Sequence, residues 1–537
     1  MDKKLYELSN PQTSIWDTEQ FYYGTNINNI CGTAIISNVL NFNILKKAIE
    51  NVIQKNDSFK IRFIKKNNVL KQYIDSSIST EIELVSLKNK EEISNLEQKL
   101  LCQVFKITEE PIFKFVIFKL QDNTGGFMLN IHHLLADSWT LGLTCKKIVQ
   151  EYSSLISNTD KTSETDYSYI KYLENEQEYM QSNRYQKDKL YWEKTFETIP
   201  NIATLPSRNS TNTEFSCDGN RDLFTIPTKL VKEINQFCKK YNVSVFNFFM
   251  GILAIYINKL TNTDDFVIGT PILNRANSTE KNTTGMFVNI TPLRITVEKN
   301  KYFSDFLQTI AKNSLALLRH QKYPYKEILD FVRKQDSSIP NLYNIILSYQ
   351  ITKANLEGNL KYETRWAFNG NSADNLDVQI YDLNETGSLN IAYDYKKSKY
   401  STEEIKCLHS RILSLIKQVL SEENIEITKL KILTKNEEKE ILKFNKTAML
   451  YNKNIPVIKH FEKQVSSTPN NIALTFKGTQ LTYKELNEKA NSLAHHLRKA
   501  GVINNTIVGI MVNRSVEMIV RNFSNFKGWR RIFANRS

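Results

Sequence analysis

Cysteine, glycine and proline are scarce in this chain of 537 residues, which contains 6 Cys, 16 Gly and 11 Pro. The cysteines lie far apart, with no Cys-x-x-Cys pair and no Cys/His cluster at metal spacing, so neither a disulfide framework nor a zinc module is predicted. The low glycine and proline content excludes a collagen-like or low-complexity chain. With 41% hydrophobic and 24% charged residues, the composition is that of an ordered globular protein.

Long hydrophobic runs are absent as well. The longest apolar stretch, Val245 to Ile257, is interrupted by Asn247 and falls well short of the roughly 20 residues that a bilayer requires. We interpret it as a buried helix capped by Ser244. The first residues, Met1 to Gln12, contain no apolar segment typical of a secretory signal. The sequence therefore predicts a cytoplasmic protein without membrane insertion.

The charge balance is basic, with 71 Lys and Arg against 57 Asp and Glu and a net charge of +14. These basic residues are dispersed among acidic ones, and no zinc, RRM or helix-turn-helix signature accompanies them, so no nucleic-acid binding is predicted. The surplus favours an acidic or phosphate-bearing partner instead.

Strand-like and helix-like segments alternate along the chain without an internal repeat, which predicts an α/β fold. Apolar residues alternate over 113–117 and again over 127–131, with a polar turn at 121–126 between them, so a hairpin is expected. Residues 141–155 follow a helical apolar spacing. Polar stretches at 157–166 and 434–446 are predicted to separate a first lobe, a second lobe and a new α/β segment.

The residues that suggest chemistry follow the hairpin. His132 and His133 are adjacent at the end of a predicted strand, so their side chains must face opposite sides, and only one can enter a given cavity. An imidazole can accept a proton near neutral pH, and Asp137 could hold the loop through an ion pair. Taken alone, the pattern is more often a hydrogen-bonded histidine and a helix-capping aspartate than a catalytic site. A metal site would need further ligands, and none can be placed.

Further motifs occur in order and resemble the condensation domain of nonribosomal peptide synthetases, which belongs to the chloramphenicol acetyltransferase-like superfamily. The resemblance runs from about residue 4 to 435. The matching segments are Leu8-Ser9-Asn10-Pro11-Gln12-Thr13-Ser14-Ile15-Trp16, the HHxxxDG-like His132 to Ser138, Gly269-Thr270-Pro271 with Arg275, Gly285-Met286-Phe287-Val288-Asn289 with Arg294, and Arg319 to Tyr325.

The resemblance implies two chloramphenicol acetyltransferase-like αβ-sandwich lobes in a V, over residues 1–166 and 167–435, with a linker at 436–455. A tunnel between the lobes would admit a donor thioester and an acceptor aminoacyl thioester. His133 would be the catalytic histidine and His132 a structural one. The thioester supplies the activation, so this step would require neither ATP nor a metal.

The same resemblance makes Asp137 structural, paired with an arginine of the segment 55–63. This sequence has Lys60 at the usual arginine position and Arg62 two residues later, and it leaves open which of them forms the pair. Ser138 replaces the usual glycine, and its side chain could strain the turn or narrow the tunnel.

The tunnel or substrate side is predicted to include five further residues. For Asn289 and Tyr323, packing in the core or between the lobes accounts for the sequence equally well. The five are Trp139, Asn289, Arg294, His320 and Tyr323.

Residues 456–520 resemble the beginning of an adenylation domain, through Phe461 to Gln464, Thr468-Pro469 and Leu481 to Asn487. The segment is expected to form a small, incomplete α/β fragment. It contains no glycine-rich phosphate loop, so no cofactor is predicted to bind to this chain.

The tail from Arg521 to Ser537 departs from that pattern. With suitable synonymous codons, a reading frame shifted by one base encodes AILAILKAGGGYLPID, which resembles the expected continuation. We therefore expect an out-of-frame tail that starts after Val520 and lacks specific packing.

Three functions remain open from the sequence. The first is amide-bond formation, with substrates held on the phosphopantetheine of acyl or peptidyl carrier proteins acting in trans, or with an acyl-CoA donor. Because the first lobe begins close to Met1, a starter-type N-acylation with a fatty acyl group is expected. The second is epimerisation of a carrier-bound residue, and the third is a non-catalytic remnant that docks carriers. A monomer is expected in each case.

Overall fold

A computed structural model describes residues 4–77, 80–108, 110–158, 167–207, 216–351, 356–357, 360–422, 424–450, 454–527 and 531–534. They fall into two compact units, Met1–Glu438 and Lys439–Ser537. Most of the predicted linker at 157–166 lies outside the described residues.

The helices of the first unit, the last of which crosses into the second, are α1 (Asn10–Phe21), α2 (Phe42–Lys55), α3 (Asp57–Lys60), α4 (Glu91–Leu101), α5 (Ser138–Ser157), α6 (Tyr169–Met180), α7 (Asn183–Thr195), α8 (Thr228–Lys240), α9 (Val245–Thr261), α10 (Ser278–Asn282), α11 (Phe303–Arg319), α12 (Tyr325–Gln335), α13 (Thr402–Ser421) and α14 (Lys435–Phe444). A short 3-10 helix covers Ile427–Lys429.

The strands of the first unit are β1 (Asn29–Ile36), β2 (Ile61–Lys66), β3 (Val69–Ile74), β4 (Glu83–Ser86), β5 (Phe113–Lys119), β6 (Gly125–His132), β7 (Asn201–Ile202), β8 (Gly219–Ile226), β9 (Asp265–Ile272), β10 (Asn289–Thr296), β11 (Ile345–Ile351), β12 (Leu356–Glu357), β13 (Leu360–Ala367), β14 (Leu376–Asp382) and β15 (Leu389–Lys396).

The first lobe is built on a sheet with the strand order β12-β13-β1-β6-β5-β4. The predicted hairpin is confirmed as β5 and β6, which pair antiparallel. The predicted helix is confirmed within α5, where Leu141, Cys145, Ile148 and Tyr152 are buried. These side chains join the core of the lobe, together with residues of α2.

The division of the lobes at residue 166 needs correction. Strand β13, from the second half of the chain, pairs antiparallel with β1 and completes the first sheet. The Arg365 guanidinium fastens it through two hydrogen bonds, of 2.7 and 2.9 Å, to the carboxylate of Glu97 on α4. Tyr169 and Tyr172 of α6 also belong to the first core. The first lobe therefore includes chain from both sides of the predicted division, and the mixed α/β prediction is confirmed.

The second lobe is built on a sheet with the order β10-β9-β11-β14-β15-β8, and β7 adds to β9. The apolar stretch at 245–257 is the buried helix α9, and the Ser244 hydroxyl caps it by accepting the Asn247 N–H. Over the described residues, no single helix has the length and apolar composition to cross a bilayer. Helices α8 and α9 meet that test only as a pair, with a bend of 100° between them.

One face of this sheet carries an unusual acidic pair. Asp377 on β14 lies directly opposite Asp394 on β15. Arg221 binds both oxygens of Asp394, at 2.6 and 2.7 Å, and Gln379 donates to both aspartates. Burial, reinforced by the charge of Asp394, raises the pKa of Asp377 to about 8. Asp377 therefore keeps its proton at neutral pH.

Replacing Asp377 by asparagine is expected to stabilise the protein increasingly as pH rises. In the folded protein Asp377 releases its proton near pH 8, whereas in the unfolded chain it does so near 3.8. Native stability therefore falls from pH 4 to pH 8 and levels off above pH 8, and Asp377→Asn removes that fall. Thermal melts at pH 5 and pH 8 should show a clearly larger gain in Tm at pH 8, on the order of a few °C. The exposed Asp218→Asn is the control, and an equal gain at both pH values would contradict the assignment.

The predicted linker at 436–455 is not extended throughout, because helix α14 covers Lys435–Phe444. Thr434 and Glu437 form a reciprocal capping pair, since the Glu437 N–H donates to the threonine hydroxyl and the Thr434 N–H donates to the glutamate. Glu437 also accepts from Arg411 on α13 at 2.8 Å. The polarity of this run is therefore that of an exposed helix with a capping box.

The second unit contains α15 (Val457–Ser467), α16 (Tyr483–Lys499), α17 (Val516–Lys527), β16 (Ile472–Phe476), β17 (Thr479–Thr482), β18 (Ile507–Ile510) and β19 (Arg531–Ala534). Strands β16 and β17 form a hairpin, and β18 pairs parallel with β19.

The expectation that the tail after Val520 lacks specific packing is wrong for residues 521–527. Helix α17 continues to Lys527, and the Phe523 ring stacks on Phe461 with centroids 4.1 Å apart. Lys527 forms an ion pair with Glu462 at 3.2 Å. The polar Asn525 is 1% exposed, and its Oδ1 atom has no hydrogen-bond partner among the described residues. The tail thus packs specifically while burying an amide where an apolar side chain would fit better.

Candidate active site

The segment from His132 to Asp137 is a tight loop between β6 and α5. Helix α1 supports it: Ser9 and Gln12 form a capping box at the start of α1, and the Gln12 amide donates to the Leu134 carbonyl at 2.9 Å. The first and second motifs of the sequence are therefore in contact. The backbone N–H of Leu135 returns to the His132 carbonyl at 2.9 Å and closes the turn.

The two histidines face different surroundings, as strand alternation predicts. His132 is 2% exposed; its Nε2 lies 3.2 Å from the carboxylate of Glu19 on α1, and its Nδ1 accepts the Leu134 N–H. His133 is half-buried, and its backbone N–H donates to the Asn28 carbonyl at 2.8 Å. Only His133 is thus partly open to the outside of the loop.

The imidazole of His133 is held in its neutral form. Burial lowers its pKa below the ordinary value of 6.5, and the nearby Asp137 carboxylate offsets this only in part. A neutral imidazole near physiological pH can accept a proton, which is the state that a general base requires.

Asp137 does not pair with the 55–63 segment, so that prediction is wrong. Its partner is Arg275, which follows β9: the guanidinium donates to both carboxylate oxygens, at 2.8 and 3.1 Å. The backbone N–H groups of Thr140, Phe287 and Val288 add bonds of 2.8, 3.0 and 3.1 Å. Burial alone would raise the pKa of Asp137, but Arg275 and these N–H groups hold it below its ordinary value.

Of the two residues expected in that role, Arg62 is engaged elsewhere. Arg62 is 3% exposed and donates to the carbonyls of Phe59 and Ile61, at 3.0 and 2.7 Å. Lys60 ends the short helix α3. The arginine that pairs with Asp137 is 138 residues away along the chain, so no local pattern around Asp137 indicates it.

The motif at 285–289 now has a structural explanation. Gly285 has φ +151°, and a Cβ at this position would lie 2.2 Å from the Tyr169 ring. The glycine N–H and carbonyl both bond to the Thr140 hydroxyl, at 3.1 and 2.7 Å. This close approach brings the N–H groups of Phe287 and Val288 to Asp137 and fastens the second lobe to the start of α5.

Residues next to the motif are placed as follows. Ser138 is the first residue of α5 and does not have a positive φ, so the expected strain from losing glycine is absent. Trp139 is 40% exposed, and its indole donates to the Lys281 carbonyl at 2.9 Å. Asn289 is buried at the start of β10, directly after Val288.

Three predicted substrate-side residues have structural partners beyond residue 166, within the predicted second lobe. Arg294 binds Asp265 at 2.5 and 2.9 Å. The Nδ1 of His320 lies 2.7 Å from Asp188. Tyr323 is 4% exposed, with its ring centroid 5.1 Å from that of Tyr185. No contact brings these three side chains to His133 over the described residues, so we interpret them as lobe-stabilising.

The backbone segment that accepts the His133 N–H is also held by residues from the second half of the chain. The Asn369 amide donates to the carbonyls of Asn26, Ile27 and Asn29, at 3.3, 2.7 and 3.0 Å. Asn371 donates to the Asn26 side chain at 2.9 Å. The loop after β13 therefore fixes the strip of backbone to which His133 is bonded.

Sequence reasoning assigned no role to two functional residues. Glu19, the partner of His132, lies seven residues after Gln12 on the same buried face of α1, which is a detectable signal in a polar helix. Arg275 lies within one of the matching motifs, but the sequence did not indicate that Asp137 is its partner. Within the described part of the chain, no group of three or more His, Cys, Asp or Glu residues could hold a metal ion.

The site thus combines a neutral, partly open imidazole with a buried ion pair that joins two lobes. A sequence model described as the Condensation domain matches residues 2–442, and the chain belongs to that family of amide-forming acyltransferases. The model of AMP-binding enzymes matches residues 461–527.

The relatives are nonribosomal peptide synthetases. Surfactin synthase subunit 1 of Bacillus subtilis is 28% identical over 527 residues, which are 97% of this chain and 15% of that protein. A plipastatin synthase protein of the same organism is 29% identical over 525 residues, again 97% of this chain and 20% of that one. The chain therefore spans a fifth or less of the length of these two relatives.

Solved structures share the fold. The starter condensation domain of rhizomide synthetase, in complex with C8-CoA, has a TM-score of 0.70 at 22% identity, covering 80% of this chain and 98% of that one. A four-domain nonribosomal peptide synthetase bound to AMP and glycine has a TM-score of 0.79 at 16% identity, covering 99% of this chain and 41% of that one.

Proposed function

We propose that the first unit forms an amide bond between a donor acyl thioester and the amino group of an acceptor aminoacyl thioester. The acceptor nitrogen attacks the donor carbonyl, a C–N bond forms, the C–S bond breaks, and the thiol leaves with the proton lost by the nitrogen. His133 accepts and relays that proton. The Asp137–Arg275 pair fixes the loop that carries the imidazole and itself touches no substrate.

The observation that carries this proposal is the neutral His133. Its burial lowers the pKa, its backbone is bonded to Asn28, and it lies in the motif of the Condensation family. Such a group can act without a metal or a bound cofactor, because the thioester is already activated. The substrates are proposed to arrive on the phosphopantetheine arms of carrier proteins acting in trans, or as acyl-CoA.

For the donor we propose a fatty acyl group, as in starter-type N-acylation. The support is electrostatic: the net charge of +14 attracts a phosphate-bearing CoA or an acidic carrier. The rhizomide starter domain, which shares the fold, was solved with C8-CoA, so octanoyl-CoA is the natural first probe.

Octanoyl transfer is the direct test. The full chain is incubated with octanoyl-CoA and leucyl-N-acetylcysteamine, and intact mass should reveal the octanoyl-leucyl thioester together with free CoA. Aminoacyl thioesters of several side chains extend the panel, and octanoyl- and peptidyl-loaded carrier proteins replace the CoA donor in parallel reactions.

Each outcome decides between the functions. Product from peptidyl carriers alone would make this an elongation domain and overturn the starter assignment. Deuterium uptake at the α-carbon of a carrier-bound aminoacyl group, without acyl transfer, would indicate epimerisation. Carrier binding without product from any donor would identify a docking remnant.

A further inference from the structure

Glu19 is a buried carboxylate for which the proposed reaction has no direct use. It lies on α1 and is 5% exposed. One of its oxygens, Oε2, receives the Asn28 amide at 2.8 Å and faces His132 Nε2 at 3.2 Å. Burial alone would raise the pKa of Glu19, but these two hydrogen bonds lower it below its ordinary value, so the group is an anion.

Both partners of Glu19 hold the backbone of His133. His132 immediately precedes it, and since its Nδ1 accepts the Leu134 N–H at 3.1 Å, the proton resides on Nε2 and points to Glu19. Asn28 provides the carbonyl that accepts the His133 N–H at 2.8 Å. One carboxylate oxygen therefore fixes the residue before His133 and the residue to which His133 is bonded.

We propose that Glu19 is a positioning residue for His133, clamping His132 and Asn28 so that the His133 imidazole is held in one direction. The inference rests on the proposed role of His133. Catalytic groups must be held within about 0.5 Å and 10–20° of the productive geometry, and a displacement of about 1 Å can lower the rate about 100-fold. Without the clamp, the loop would loosen and admit water to the imidazole.

The chain offers a matched control for this test. Glu97 is also 5% exposed, lies on a helix of the same lobe and accepts hydrogen bonds from Thr33 and Arg365, but it has no contact with the histidine segment. Glu19→Ala removes the clamp entirely. Glu19→Gln keeps the shape of the side chain and one carbonyl acceptor. Glu97→Gln removes an equally buried charge elsewhere.

The first measurement is the titration of His133, followed by NMR on protein labelled with 15N-histidine and assigned with His133→Ala. In the wild type the pKa of His133 should lie below 6.5 because of burial. In Glu19→Ala it is expected to rise toward that ordinary value, in Glu19→Gln to rise less, and in Glu97→Gln to stay unchanged. An unchanged titration in folded Glu19 variants would overturn the proposal. Should Glu19→Ala not fold, Glu19→Gln decides alone.

The second measurement is turnover of octanoyl-CoA and leucyl-N-acetylcysteamine. Glu19→Ala is expected to lower kcat about 100-fold with KM changed less than about twofold, because the clamp is remote from the substrates. Equal losses of kcat in Glu97→Gln would show a merely structural effect and contradict the proposal. If the wild type itself turns over no donor, the proposed function fails, while the titration still decides the role of Glu19.

Discussion

Replacing His133 by alanine is expected to lower kcat for amide formation about 10²- to 10⁴-fold, the usual contribution of a general base. The protein should stay folded, because His133 is half-buried and its structural bond is made by the backbone N–H, which alanine keeps. The pH dependence supplies a second signature. Burial lowers the pKa of His133, so the wild-type rate should be level at neutral pH and fall only below pH 6.5.

The measurement is single-turnover acyl transfer followed by mass, with circular dichroism to confirm folding. His460→Ala is the control, since His460 is an exposed histidine of the second unit and should leave the rate within about twofold of wild type. His132→Ala should differ from both, because it removes a buried partner of Glu19 and so lowers the melting temperature. A His133→Ala protein that retains more than a tenth of the activity would contradict the role of His133 as the proton acceptor.

Local sequence signals predicted the parts of the fold that local physics determines. The alternating residues of β5 and β6 and the helical spacing of α5 are confirmed, and the Ser244 cap marks the start of α9. In each case the hydrophobic pattern and the capping residue act within a few positions of one another.

Where contacts link distant parts of the chain, the sequence alone led to wrong predictions of which segments pair. Strand β13 crosses back to pair with β1 more than 300 positions earlier, and no local pattern announces such a pairing. Similarly, Asp137 could be recognised as structural, but Arg275 and Arg62 have the same chemistry, and only the folded chain decides between them. Arg275 forms the pair because its guanidinium also donates a hydrogen bond to the Thr140 hydroxyl and lies over the Phe287 ring, 4.0 Å from the ring centroid.

Two helices that the sequence analysis did not predict have local signals in the residues. The spacing from Thr434 to Glu437 is a capping box, which indicates that the predicted linker at 436–455 begins in a helix. Across the start of the tail, the apolar side chains repeat at helical spacing and pack on one cluster; they are Val516, Ile519, Val520 and Phe523.

Removing the Arg275 guanidinium is expected to have the largest effect on stability, about 3–5 kcal/mol. Arg275→Ala would leave the Asp137 carboxylate, which is 1% exposed, as a buried charge without its cation. Arg275→Lys should recover only part of the loss, because an ammonium group cannot form the bidentate pair and the bond to the Thr140 hydroxyl together. Activity should fall with stability, since the pair holds the loop of His133.

A double-mutant cycle distinguishes this pair from the one that the sequence predicted. Urea unfolding of Asp137→Asn, Arg275→Ala and the double variant should give a coupling energy of at least about 2 kcal/mol, whereas the cycle with Arg62→Ala should give less than about 0.5 kcal/mol. The coupling also depends on pH with a defined sign. The pKa of Asp137 is lowered in the folded protein, so the stabilisation is complete above the unfolded value of 3.8 and is lost as pH falls through the folded value. A larger coupling energy between Asp137 and Arg62 than between Asp137 and Arg275 would show that Asp137 pairs with the 55–63 segment. It would contradict the ion pair between the two lobes.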